Sequence, residues 1–306
     1  VAVTCGAKGQ ERKYATNFQV PPDIFLQLLY LPAVKKLDLT LFPDLHTSRG
    51  IQKDIIKDTI WPFPQAPMAF ALTTLQLRRS PALPNTLDIL LSATPSLTAL
   101  EYDCLLPSSQ TPFCLSTLRQ ALNRVRGTLK NLSIRYEVFA DDATEVESIG
   151  TILVNNLGSL CDFPALITLE TSLAILYGQV REVNVPFLLD LLPPNLQHLT
   201  INDDLWGFYA FVWEGLEVME VLRKFLTGQR KKEAYWDEAR ERWEVTWAHD
   251  GQAGWREKTP HLKEFVLDMR RRGWSFYDFW DNPTQRISLQ QACDEQGIRC
   301  LILYDT

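Results

Sequence analysis

The side chains best suited to moving a proton near neutral pH or to holding zinc are the four histidines, His46, His198, His249 and His261. They are scattered without ligand spacing or a recognisable motif, and none is marked as a catalytic base. Two acidic doublets, Asp141–Asp142 and Asp203–Asp204, contain the groups of an acid–base pair. Neighbours in sequence diverge in space, whereas catalytic carboxylates come from separate elements, so loop or capping duty is expected of both. Gly6 and Gly9 lie in a polar stretch with neither a strand before them nor a helix after them, so no phosphate cradle is expected. Cys5, Cys104, Cys114, Cys161, Cys293 and Cys300 show neither zinc-site pairing nor the density of a secreted disulfide scaffold, which implies reduced thiols in cytoplasm or nucleus. Asn131–Leu132–Ser133 is a glycosylation sequon, yet it falls inside a predicted strand and residues 1–17 lack a secretory signal. No catalytic residue, cofactor or metal is therefore expected, and the chain reads as a non-enzyme.

Thirty-seven acidic against 31 basic residues leave a net charge of −6, which disfavours the phosphate attraction of nucleic-acid binders. No apolar run reaches the roughly 18 residues a membrane span needs, so neither nucleic acid nor membrane is an expected partner. At 306 residues and 46% hydrophobic the chain can bury an extensive core.

What positions the remaining polar residues is a phrase found eight times: apolar, two free positions, apolar, one free position, apolar. It begins at Val34, Leu72, Leu97, Leu129, Leu166, Leu196, Leu262 and Ile298; in the last case it reads Ile298, Leu301, Leu303. Successive starts are 38, 25, 32, 37, 30, 66 and 36 residues apart, so the interval of 66 has room for one degenerate unit. Between the phrases, apolar residues fall at helical spacing: Val20, Ile24, Leu28; Ile51, Ile55; Leu83 to Leu91; Leu115 to Val125; and Val146 to Leu160. Residues 284–296 predict a last helix stopped by Gly297.

Strand–helix units in this number also suit a closed (β/α)₈ enzyme barrel, whose strands are buried on both faces and read as continuous apolar runs. Here the alternate positions are polar, which favours an α/β fold, an open right-handed leucine-rich-repeat solenoid with a parallel sheet on the concave face and helices on the convex face. The polar positions Lys36, Asp38, Gln76, Arg78, Glu101, Asp103, Arg135, Glu170, His198, Asn202, Glu264 and Asp268 become the candidate protein-binding residues of a concave face ~40 Å across. As surface contacts, Arg78 and Arg135 are expected to tolerate joint reversal without loss of stability.

Residues 203–258 differ in texture within an otherwise single domain over 1–306. Eight of nine tryptophans lie beyond residue 205. Helical spacing over 214–226 and again through Trp236, Trp243 and Trp247 predicts a tryptophan-rich helical insertion or degenerate repeat whose tryptophans pack against the array. Arg270, Arg271 and Arg272 form a short basic run that reads as a solvated turn, with a grip on an acidic partner as the functional alternative.

Glu101–Tyr102 after Leu97–Leu100, Thr128–Leu129 within 122–134, Glu170–Thr171 after 163–169, and the run from Leu192 through Ile201 into Asn202, Asp203, Asp204, Leu205, Trp206 together resemble the leucine-rich-repeat region of fungal F-box proteins, as do residues 297–303. The resemblance implies the substrate-recognition part of a ubiquitin-ligase receptor, with a protein substrate on the concave face. A Skp-type adaptor and cullin would be partners only through an F-box lying upstream; residues 20–31, with Pro21, Pro22, Asp23 and Ile24, resemble an F-box opening but read better as a repeat helix. A free-standing scaffold or inhibitor of the same fold is the alternative, and a barrel enzyme the more distant one.

Overall fold

The computed structural model describes residues 2–5, 22–40, 63–80, 82–107, 113–139, 153–178, 187–206, 213, 215–237, 242–249, 255–270 and 278–304. Its frame is a nine-stranded, wholly parallel sheet: β1 (Ala2–Cys5), β2 (Lys36–Thr40), β3 (Thr74–Ser80), β4 (Ala99–Pro107), β6 (Asn131–Phe139), β8 (Thr168–Ser172), β9 (His198–Asn202), β12 (Glu264–Met269) and β13 (Arg299–Tyr304). These strands lie side by side in chain order, with β1 and β13 at opposite edges. A two-residue pair, β5 (Phe113–Cys114) with β7 (Leu153–Val154), stands apart from it.

The repeated phrase explains this geometry locally. Its first apolar residue closes a turn, with the backbone N–H of Val34, Leu72, Leu97, Leu166, Leu196 and Leu262 donating to the carbonyl three residues earlier. The next two apolar positions then point together into the core. Leu37, Leu75, Leu100, Leu132, Leu169, Leu199 and Phe265 form one buried row in register, and Leu39, Leu77, Tyr102, Ile134, Ile201 and Leu267 belong to the next. Tyr102 replaces an aliphatic residue there, and its hydroxyl donates to the Ala82 carbonyl. One backbone bond recurs at seven consecutive junctions, running from the N–H of Thr73, Thr98, Lys130, Ile167, Gln197, Lys263 and Arg299 to the preceding unit's carbonyl at 2.8–2.9 Å.

Helices bring their apolar sides to this core. They include α1 (Pro22–Leu28), α2 (Pro84–Ser92), α3 (Leu115–Leu122), α4 (Leu173–Tyr177), α5 (Leu188–Leu191), α6 (Gly215–Thr227), α7 (Trp255–Lys258), α8 (Asp278–Asp281) and α9 (Pro283–Glu295). Asn282 caps α9 by accepting from the Thr284 N–H at 2.9 Å, and Gly297 ends it at φ +73° with its N–H on the Asp294 carbonyl. Among the described residues no helix is long and apolar enough to cross a membrane.

Four sequence expectations need correction. Residues 229–237 and 242–249 are not helical: β10 (Gln229–Asp237) and β11 (Arg242–His249) form an antiparallel pair that directly opposes Trp236 and Trp243. The spacing of Trp236, Trp243 and Trp247 also fits a strand through Trp243, Val245 and Trp247, and these β-favouring residues settle into that form. No degenerate unit occupies the 66-residue interval, because β9 pairs directly with β12; the ninth strand of the sheet is β1 instead, ahead of Gly6 and Gly9. Leu153 and Val154, expected in a helix, are strand β7, while Val146, Ile149, Ile51 and Ile55 lie outside the described residues. The last phrase is displaced by one residue: Phe265 and Leu267 face Cys300 and Ile302 in register, so Leu301 and Leu303 turn to the polar side.

The tryptophans largely pack. Trp213, Trp255 and Trp280 are buried, and Trp206 and Trp247 rest against the core.

Candidate protein-binding face

All twelve candidate residues fall on strands of the one sheet, on the side away from the leucines. Register aligns them in rows. One runs Lys36, Thr74, Ala99, Asn131, Thr168, His198, Glu264, Arg299; a second runs Asp38, Gln76, Glu101, Ser133, Glu170, Thr200, Val266, Leu301. Beyond these, Asp103 pairs in register with Arg135, and Asn202 with Asp268.

Side chains on neighbouring strands neutralise one another along these rows. Arg78 Nε lies 3.5 Å from Asp38 and 3.4 Å from Glu101, whose other oxygen accepts from Gln76 at 2.6 Å. Arg79 sits at φ +48° in a bulge of β3 and reaches Glu137 at 3.1 Å across β4. Toward the C-terminal edge, Glu264 lies 3.5 Å from His198 and 3.3 Å from Arg299.

The centre is a tighter cluster. Arg135 on β6 binds Glu170 on β8, which also accepts from Ser133 at 2.9 Å, and its Nη2 reaches Asp268 on β12 at 2.8 Å. On a flat sheet β6 and β12 would stand three strand spacings apart, ~14 Å, farther than two side chains extend. The sheet therefore bends toward its polar side. Arg270 clasps Asp268 with two bonds at 2.8 and 2.9 Å.

Burial alone would raise the Asp268 pKa, but the bonds from Arg270 and Arg135 outweigh it and hold the carboxyl at about 2, below its ordinary 3.8. A depressed folded-state value means that stability is present above pH ~4 and lost as the pH falls toward 2. Acid titration of folding stability should show a loss of roughly 2 kcal/mol across that window attributable to this group. Asp268→Asn should flatten that part of the profile, and an unchanged profile would separate Asp268 from acid stability.

Four expected contacts are not open to a partner: Asp38, Asp103, Asn202 and Asp268 are buried. A charge at low exposure has to be compensated, and here Arg78 covers Asp38 while Arg135 and Arg270 cover Asp268. Asn202 lies under the turn that follows β9, its Oδ1 accepting from the Asp204 N–H at 3.3 Å. Lys36, Gln76, Glu101, Glu170, His198, Glu264 and Arg135 are partly exposed, and Arg78 is exposed.

Of the acidic doublets, Asp204 has the capping duty expected of it. β6 pairs with β8 as far as Ser133–Glu170, and beyond that the Asp204 carboxylate accepts the Tyr136 N–H at 2.7 Å. Asp141, Asp142 and His46 lie outside the described residues. Among the described residues, no three His, Cys, Asp or Glu side chains are grouped to hold a metal. No family model matches the chain, and a search of curated proteins found no match.

Residues missed in the sequence are Arg79, Glu137 and Arg299. Arg299 was hidden by the one-residue displacement of the last phrase. Arg79 was hidden by its bulge, which breaks the alternation of β3.

Proposed function

We propose that this chain is a protein-docking module, an open right-handed leucine-rich-repeat solenoid serving as the substrate-recognition part of an F-box-type ubiquitin-ligase receptor. What carries the proposal is the run of parallel strands in chain order, joined by one recurring junction bond, with apolar side chains on one side and a polar ion-paired surface on the other. Nine strands span ~40 Å, enough for the ~800 Å² per partner of a standard protein interface. Edge strands at opposite ends speak against a closed barrel. The role is binding and positioning; the ubiquitin-transfer chemistry would belong to the ligase.

Lys36→Glu with Arg78→Glu changes two partly or fully exposed positions of the face, and Arg124→Glu with Arg126→Glu makes the same charge change elsewhere. In affinity capture from native extract, the first pair should reduce retention of a specific protein by about tenfold or more, and the second pair should leave it unchanged. Equal retention by both variants removes this face from the proposal. A captured protein whose cellular half-life lengthens when the chain is deleted supports the ligase role; an unaltered half-life supports the free-standing scaffold.

A further inference from the structure

Four arginines of the polar face are exposed, and three of them, Arg78, Arg270 and Arg299, lie outward of the carboxylates they pair with. Arg78 is 45% exposed over Asp38 at 12% and Glu101 at 34%, and Arg270 is 52% exposed over Asp268 at 3%. Arg299 is 70% exposed over Glu264 at 24%, and Arg79 is 50% exposed beside Glu137 at 43%. Arg135, the exception at 15% exposed, is the tie at the centre. The charges of the face largely cancel, yet its most exposed charged groups are arginines, at 45–70% against 3–43% for their carboxylate partners.

We infer that the polar face selects an acidic polypeptide segment, whose carboxylates bind the outward guanidiniums of Arg78, Arg79, Arg270 and Arg299. This inference rests on the docking proposal and names the chemistry of the partner. A guanidinium has five N–H donors in a planar fork, more than one carboxylate can occupy, so Arg78 and Arg299 can hold the inner carboxylate and still receive another. Inner carboxylates fix where each arginine points, which lowers the ordering cost of binding.

Spacing sets the length of the segment. Arg78 and Arg79 stand at the C-terminal end of β3, and Arg270 directly follows β12, five strand spacings away, or ~24 Å along the sheet. An extended peptide covers that span from Arg78 to Arg270 with about seven residues, and reaching Arg299, which opens β13 at the other end of the strands, takes about six more. The preference opposes the net charge of −6, which by itself favours a basic ligand, so it is a local property that a simple probe can detect.

The test uses the full chain and fluorescently labelled poly-L-glutamate of about 20 residues, longer than the whole span, with poly-L-lysine of the same length as its opposite. Titration by fluorescence anisotropy at low salt should show tighter binding of poly-L-glutamate. Arg78→Glu, Arg79→Glu and Arg299→Glu together should weaken it by about tenfold or more. Arg270 is left in place because it neutralises buried Asp268. Arg124→Glu, Arg126→Glu and Arg256→Glu alter net charge equally on exposed residues of helical and turn segments, and should stay within about twofold of the wild type. Circular dichroism establishes that both variants are folded. Tighter binding of poly-L-lysine, or equal losses in the two triple variants, overturns the inference. If so, specific capture that still depends on Lys36 and Arg78 would leave the docking proposal standing with a non-acidic partner.

Discussion

Arg135→Glu should lower folding stability by about 3–5 kcal/mol, read as a large drop in the urea midpoint at an unchanged slope. The substitution places a third carboxylate against Glu170 and Asp268 and removes the cation that both now share. Asp268 is nearly excluded from water, so the repulsion cannot be screened as it would be on an open surface. Arg78→Glu is the comparison. That side chain also touches two carboxylates, but it is 45% exposed, and its reversal should cost about 1 kcal/mol or less. A joint reversal should therefore lower stability through Arg135, the opposite of what alternation along the strands suggests. A loss below about 1 kcal/mol for Arg135→Glu would mean that the central cluster contributes no net stabilisation.

Gly178→Ala should cost about 3 kcal/mol or more, while Gly297→Ala should cost about 1 kcal/mol. Both glycines follow a helix and both have positive φ, +71° and +73°, so each substitution incurs backbone strain, larger at Gly178, whose ψ of −150° places it in a region that residues with a Cβ rarely enter. They differ in room. A Cβ on Gly178 would lie 2.2 Å from the Asn155 carbonyl oxygen, whereas nothing lies within 4 Å of one on Gly297. Asn155 is itself at φ +65°, so relief requires moving a backbone that is already constrained. Thermal or urea unfolding of the two variants side by side measures what the close approach and the less accessible backbone region of Gly178 add to an ordinary positive-φ substitution. Equal losses would show that the Asn155 segment yields freely.

Much of the sheet could be read from the chain because its cause is local. A turn-closing residue such as Leu97, followed by Leu100 and Tyr102, places its own side chains with little help from distant segments. β1 escaped because four residues, Ala2–Cys5, become a strand only through pairing with β2 more than thirty positions later. The antiparallel pair of β10 and β11 escaped because its aromatic spacing satisfies two periods at once. In the last strand, Leu301 and Leu303 look more like core than Cys300 and Ile302 do, and only pairing with Phe265 and Leu267 decides between them. The candidate face was legible as a set of strand positions but not as a set of open contacts. Burial of Asp268 depends on Arg135, 133 residues away, and no pattern within a strand encodes that meeting.

Most contacts along such a ribbon link a unit only to its immediate neighbours, an arrangement that lets order dissolve progressively from either terminus. The Arg135–Asp268 tie bypasses β8 and β9 and joins units that do not otherwise adjoin. It acts as a clasp around four strands, which should make β6 through β12 come apart as one cooperative block, with the exposed Arg79–Glu137 pair a weaker tie from that block to β3. A ligand on the face would find its firmest seat over that block, where a bond between distant strands holds the surface in one arrangement.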